Sequence, residues 1–559
     1  MRAVLLLVHA ALHAAPRGLF LPGLAARAAD PPSALLPPRS VAELVGLTQA
    51  GWEPCASGNT SRVSVAWPAS AALLAGGARA LPLGVRHVLT VTALTSAGSR
   101  VACGGDHLQA QLAGEHLRLR PPTVDRLNGT YALAVDLPED PLLAGPATLT
   151  LTLLFVHFAG MTEAPLPLWQ ALAPNSVVFE ARLLLTHNGS AAAATARGGR
   201  LPAPLPSCRD VDFMRAPFWE GHWVRVPAGG GECPPGLCQG STARLAQPWV
   251  YRLPTCTFEL FSLRAARQCT ARRWAFLMGD SCNQHSVHNL FHDVLGIAND
   301  TAVAQLPRAF DVTAAELGTR VTHIWMGGWE EYENGSGLSM CEDRDGLMVL
   351  CSHFLAWPGG NVFPDLFLLS SGLHDGYTEF MGDRYDEGLR QAPHHSATAN
   401  FVSAVDAGIV FFRQLWRLRG DIAGAAALDP RVRNTTDDGG VPVPGPRFLW
   451  RHAVAPAGPG RHTLLSNPQK MEIFNHILAA KLVADRGVVP WRFLDEFDMS
   501  FPWQYDLNAS DTNHYGVDDH RGLAKVVDVM MLHVLLNGLC GPSGQPTGSE
   551  PGEGLTSRA

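Results

Sequence analysis

The sequence predicts two folded parts in series: an all-β sandwich, then an α/β domain whose parallel sheet carries helices on both faces. Two observations carry this. From Val63 to Phe155 short β-rich runs alternate with turn residues. After Arg272 the pattern changes to strand followed by helix, the alternation of a parallel sheet covered on both sides.

At 559 residues the chain is long enough for two or three domains, each with its own core. A formal charge of -7 leaves no broad basic surface, so nucleic acid is not an expected partner. Residues 1–28 combine a basic start, an apolar run and small residues ending in Ala26-Arg27-Ala28, the pattern of a cleavable signal. The run is short of the ~20 apolar residues of a membrane span, so an uncleaved anchor is the lesser alternative, and no membrane span is expected after it. A secretory-pathway protein of the Golgi lumen or the extracellular space is therefore expected. Seven Asn-x-Ser/Thr sequons, at Asn59, Asn128, Asn188, Asn299, Asn334, Asn434 and Asn508, fit that compartment. So do 11 scattered cysteines without paired C-x-x-C spacing, which read as disulfides with one thiol left over.

The sandwich is placed at residues 50–160 on the runs "VSVAW", "RHVLTVTAL", "LQAQL", "TYALAVDL" and "ATLTLTLLFV". Its turns "CGGDH" and "DRLNGTY" put Gly and Asn-Gly where hairpins need positive φ. Residues 161–207 read as a last strand and a linker. The catalytic domain is placed at 208–540, opening with a cysteine-bearing collar to Cys269 that contains "FWEGHWVRV" and "YRLPTC". Its cysteines are expected to staple the collar onto the α/β domain. Candidate strands run Trp274 to Met278, Val321 to Met326, Asp365 to Ser370, Phe448 to Val454 and Val489 to Phe493. Candidate helices begin near Asn283, Thr398, Pro468 and Leu523; Asn467 suits an N-cap and Pro468 the first helical position. The last of these reads as an amphipathic cover, and residues 541–559 as a disordered tail.

In a parallel α/β sheet, ligands bind where loops and helix N-termini converge at the carboxyl ends of the strands. Those ends carry Gly279-Asp280-Ser281, then Gly327-Gly328, then Gly372 with His374 and Asp375, and finally "DLNASDTNHYGVDDH" with Asp511 and His514. A serine hydroxyl is a weak nucleophile until a base takes its proton, and the base needs an orienting carboxylate and nearby oxyanion donors. D-x-x-H occurs once among the 22 histidines. Ser281 is thus the candidate nucleophile, His514 the base and Asp511 its orienter.

Ser, then Asp, then His, with the last two nearly adjacent near the chain's end, resembles the GDSL/SGNH esterases. The region from Cys208 to Cys540 is similar to their PC-esterase branch, on "EGHWV", "YRLPTC", "GDS", "SGLH" and "DEFDMSFPWQYDLNASDTNHYG". With "GGDHLQAQL" and "DRLNGTYALAVDLP" in front, the arrangement resembles the neurexophilin and PC-esterase (NXPE-like) proteins, which implies an immunoglobulin- or filamin-like sandwich. The resemblance implies an enzyme that transfers or hydrolyses an acyl group, acetyl foremost, on a carbohydrate or a glycoprotein glycan. It implies no resident cofactor, although a transferase would take an acyl donor such as acetyl-CoA. Gly328, Gly372 and His374 become the oxyanion-hole candidates; the superfamily usually has Asn where this chain has His374.

Blander readings stand beside these. Ser281 also suits a helix N-cap. Cys282 reads as a packed thiol and as the cysteine left over, not as a rival nucleophile. His285, His288 and His292 share a helix face with Ser281, but they lack the Glu of H-E-x-x-H and an evident fourth ligand, so no metal is expected. His374 is equally a polar loop residue, and Asp518-Asp519-His520 a solvated helix start. The other function class is an inactive extracellular recognition protein that binds through the sandwich and the aromatic collar. Oligomeric state is open.

Overall fold

A computed structural model describes residues 55–156, 175–187, 205–225, 249–297, 309–325, 364–370, 447–458, 467–506, 510, 514–515 and 525–540, with ten residues between 401 and 416 (401–402, 405–406, 408–410, 412–413 and 416). The expected signal and tail lie outside these, as do Gly328, Gly372, His374, Asp511 and His520.

Two sheets lead. One is antiparallel in the order β1-β4-β8-β7, from β1 (Arg62–Ala66), β4 (Arg86–Leu94), β7 (Thr123–Asp125) and β8 (Thr130–Asp136). The other runs β12-β11-β6-β5-β9-β10-β3-β2. It comprises β2 (Ala72–Leu73), β3 (Arg79–Pro82), β5 (His107–Gly114), β6 (Leu117–Leu119), β9 (Gly145–Phe155), β10 (Ser176–Thr186), β11 (His222–Arg225) and β12 (Trp249–Arg252). Period-two alternation makes one face of each apolar. Leu89, Val91, Leu133 and Val135 from the first sheet share one core with Ala110, Leu112, Leu149 and Leu151 from the second. The "DRLNGTY" hairpin requires its glycine, because Gly129 has φ +74° and a Cβ there would meet the Val101 carbonyl.

The collar does not begin a separate layer. β11 pairs with β6, so the second sheet runs across the boundary that composition places at 207. Successive residues of a strand face opposite ways. Val224 accordingly enters the core of the two leading sheets, whereas Trp223 enters the core of the α/β domain. Trp249, Tyr251 and Phe258 join Trp223 on that side. The collar is thus shared between both cores, a partnership that composition cannot reveal.

The third sheet is ordered β14-β15-β13-β16-β17-β18. Five of its strands, β13 (Trp274–Gly279), β15 (Thr319–Trp325), β16 (Leu366–Ser370), β17 (Arg447–Arg451) and β18 (Arg492–Leu494), are parallel and overlap the five candidates, the last only at Arg492 and Phe493. An antiparallel edge strand that the sequence pattern does not predict, β14 (Ala309–Ala314), hairpins onto β15. Numbered along the chain, the parallel strands lie 2-1-3-4-5, which puts the topological switch point at the end of β13.

The helices are α1 (Leu263–Thr270), α2 (Ser281–Asn289), α3 (Pro468–Asp485), α4 (Glu496–Ser500) and α5 (Val526–Leu539). α3 starts as its sequence predicts, with Asn467 Oδ1 accepting from Lys470 N at 2.9 Å and Pro468 in the first turn. α5 departs from expectation: every residue from Val526 to Asn537 is buried, so it is a core helix and not an amphipathic cover. Its polar residues are tolerated because they are paired: His533 Nδ1 accepts from Phe261 N, and Asn537 Oδ1 from Glu259 N.

Cys269–Cys540 ties α1 to the end of α5, the staple expected of the collar; Cys208–Cys256 stays within the collar and Cys55–Cys103 within the leading sheets. Cys282 carries a thiol. Cys233, Cys238, Cys341 and Cys351 lie outside the described residues.

Candidate active site

β13 delivers its last residue into a space that admits no side chain. A Cβ on Gly279 would lie 2.2 Å from Ser370 Oγ at the end of β16 and 2.5 Å from Asn283 Nδ2 on α2. Glycine therefore lets the strand turn into the helix against its neighbour. Asp280, still extended, caps α2 by accepting from Cys282 N at 2.9 Å. The capping task thus falls to Asp280, and Ser281 is the first helical residue.

Relieved of capping, the Ser281 hydroxyl lies 2.5 Å from Nε2 of His514. Both side chains are partly exposed. The contact sits at the switch point of the parallel sheet and at the N-terminal end of α2, where the helix dipole favours developing negative charge. Tyr515, next to His514, is buried, and its hydroxyl donates to the Ala455 carbonyl at 2.8 Å. A hydroxyl against an imidazole nitrogen can pass its proton to the ring as the oxygen attacks an electrophile, provided the other ring nitrogen is held as the donor. Asp511, the expected orienter, lies outside the described residues, as do the oxyanion candidates Gly328, Gly372 and His374.

The three helix histidines separate. His285, one turn beyond Ser281, meets the His514 ring edge-on with centroids 5.0 Å apart. His288 and His292 stack on each other at 5.7 Å. Among the described residues no three potential metal ligands come together. Cys282, beside Ser281, turns into the core, where burial, with Asp280 adding, pushes its thiol well above the ordinary value. It is therefore protonated at neutral pH.

Beneath α2 lies a buried charge cluster that the sequence pattern does not announce. Arg451, at the end of β17, forks onto Glu496 of α4 at 2.5 and 2.7 Å, reaches Asp528 of α5 at 3.3 Å, and donates to Asn283 Oδ1 and Ser286 Oγ at 2.9 and 2.8 Å. Ser286 also donates to Asp528, as does Asn289 at 2.6 Å. Burial alone would lower the Arg451 pKa, but the two carboxylates more than offset it and raise it. Burial raises the Glu496 pKa, opposed by Arg451. The polar spacing Asn283, Ser286, Asn289 on a helix that faces the core was the available signal. The cluster ties the helix bearing Ser281 to three other elements.

No protein-family model matches the chain, and no curated protein sequence matches it. Among solved structures it is similar to an acetylxylan esterase from Geobacillus stearothermophilus, at 11% identity over 49% of this chain and 99% of that one, TM-score 0.26. It is also similar to an α/β hydrolase from the metagenome of Lake Arreo, Spain, at 10% identity over 49% of this chain and 98% of that one, TM-score 0.25. Superpositions this loose transfer no residue role to this chain.

Proposed function

We propose that this chain is a serine-dependent carbohydrate O-acyltransferase or esterase of SGNH type. Ser281 Oγ attacks the acyl carbonyl while His514 takes its proton. The ester's alcohol then leaves with that proton, and the acyl group remains on Ser281. A water molecule or a sugar hydroxyl, activated by the same imidazole, attacks the acyl-enzyme and releases acid or new ester. Asp511 orients His514, and Gly328, Gly372 and His374 are the oxyanion donors. Acetyl is the acyl group and a glycan or glycoprotein the carrier; a transferase would draw on a donor such as acetyl-CoA. The leading sheets belong, on this reading, to an immunoglobulin- or filamin-like sandwich of an NXPE-like protein.

One observation carries the proposal: the 2.5 Å contact between Ser281 and His514 at the carboxyl end of the central strand. Three disulfides among the described residues support a lumenal or extracellular setting. Among those residues no helix is long and apolar enough to cross a membrane.

The test is to incubate the purified chain with an acetyl-ester probe and follow the acyl-enzyme by mass spectrometry. Acetyl on the peptide containing Ser281 is the expected result, and a sugar acceptor added afterwards separates transfer from hydrolysis. An unlabelled Ser281 peptide, with no turnover of the ester, would support the inactive recognition protein instead.

A further inference from the structure

The leading β-domain reaches across to residues 501–506, which precede His514 in the chain. On β5, Gln111 Nε2 donates to the Pro502 carbonyl at 2.9 Å, and the buried Gln109 accepts from the Tyr505 hydroxyl at 3.0 Å. On β6, the Arg118 guanidinium lies 3.3 Å from Asp506 and stacks 4.2 Å from the Trp503 ring. Trp503 is also wedged edge-on between Trp223 and Trp249 of the collar, at 5.3 and 5.7 Å. Arg120 covers Phe501 at 4.2 Å and pairs with Glu472 of α3.

These contacts converge on residues 501–506. The same stretch is fastened to the α/β domain where Gly458 N donates to the Gln504 carbonyl at 3.1 Å. His514 follows Asp506 by eight positions and precedes the anchored Tyr515. Residues 501–506 are therefore held by β5 and β6 on one side and by Gly458 on the other, and Tyr515, the chain neighbour of His514, is anchored at Ala455. From this, and resting on Ser281 and His514 as the reacting pair, we propose that Gln109, Gln111 and Arg118 are positioning residues for the reaction, and that the leading β-domain is part of the catalytic apparatus and not an independent binding module.

The physical reason is the distance dependence of proton transfer. The imidazole must keep its nitrogen within hydrogen-bond reach of the hydroxyl, and a displacement of about 1 Å caused far from the chemistry can cost ~10²-fold in rate. Arg118 suits a brace because its planar fork stacks on an indole while it pairs with a carboxylate, which Lys cannot do equally well.

The experiment uses the full chain and an acetyl-ester substrate, comparing wild type with Arg118→Ala, Arg118→Lys, Tyr505→Phe, Asp506→Asn, the Arg118→Ala/Asp506→Asn pair, and Ser281→Ala. Folding is checked by circular dichroism, and kcat and KM are measured well below each unfolding temperature. Expected is a fall in kcat of about ten- to a hundred-fold in Arg118→Ala with KM unchanged, partial rescue in Arg118→Lys, and a double variant no worse than the more impaired single. Wild-type kcat in folded Arg118→Ala and Tyr505→Phe, with only a lowered unfolding temperature, would reduce these contacts to fold stability and overturn the proposal. Should Arg118→Ala fail to fold, Tyr505→Phe, which removes one hydroxyl and keeps the ring, decides by the same kcat criterion. Full activity in Ser281→Ala would instead mean that the assignment of the site has failed, and the brace with it.

Discussion

Ser281 Oγ and His514 Nε2 meet at 2.5 Å although 233 positions separate them in the chain. Asp280 caps the helix, so the serine hydroxyl is left to the imidazole.

If that pair acts as a unit, Ser281→Ala and His514→Ala should each lower turnover of an acetyl ester by about 10³-fold or more without changing the fold. Asp511→Asn should cost somewhat less, because an orienting carboxylate fixes the imidazole without itself moving the proton. Steady-state kinetics on the three variants checks the ordering. Substantial activity in His514→Ala would pass the role of base to another histidine.

Cys282→Ser should remain active, and the native thiol should resist iodoacetamide until the protein is unfolded. Its burial keeps it protonated, and alkylation requires the thiolate. Rapid labelling of Cys282 in the native protein, with loss of activity, would count against this.

Arg451→Leu leaves Glu496 and Asp528 buried without their cation. Breaking a buried pair in this way typically costs about 3–5 kcal/mol, so the midpoint of urea unfolding should drop sharply. Because the same side chain holds Asn283 and Ser286 on α2, the surviving folded fraction should also turn over more slowly. A midpoint unchanged from wild type would show that the cluster does not stabilise the fold.

Asp498 offers a test in pH. Burial, with Asp495 adding, raises its carboxyl from 3.8 to about 7, although the Tyr251 hydroxyl and the Gly221 amide act to lower it. A carboxyl whose pKa is raised on folding contributes stability that is full below about 3.8 and is lost as pH rises through about 7. Asp498→Asn keeps an acceptor for both donors and cannot ionise. The variant should therefore gain on wild type as pH climbs from 4 to 8, measured by urea unfolding at each pH. A constant difference across that range would show that Asp498 does not titrate there.

Local signals were legible where the chain's own neighbours settle the outcome. Asn467-Pro468 opens α3 because both residues act within one turn. The five parallel strands were visible as apolar runs bounded by breakers, and the Gly129 hairpin follows from a conformation that glycine alone adopts cheaply. Ser281 and His514 stood out in the sequence because a serine after an apolar run and a D-x-x-H near the end are short patterns, and the structure brings the two side chains together.

Partnership across the fold decided the rest. Sequence left Ser281 open between cap and nucleophile; the backbone gives the cap to Asp280. α5 reads as half-polar, yet Asp528, His533 and Asn537 are buried because α2, Phe261 and Glu259 supply their hydrogen bonds. The sequence places β11 with the α/β part, and the strand serves both, with Trp223 in one core and Val224 in the other. A local pattern states what a residue can do over one turn or one pleat. Which group stands opposite it depends on chain segments hundreds of positions away, and only the packed structure brings them together.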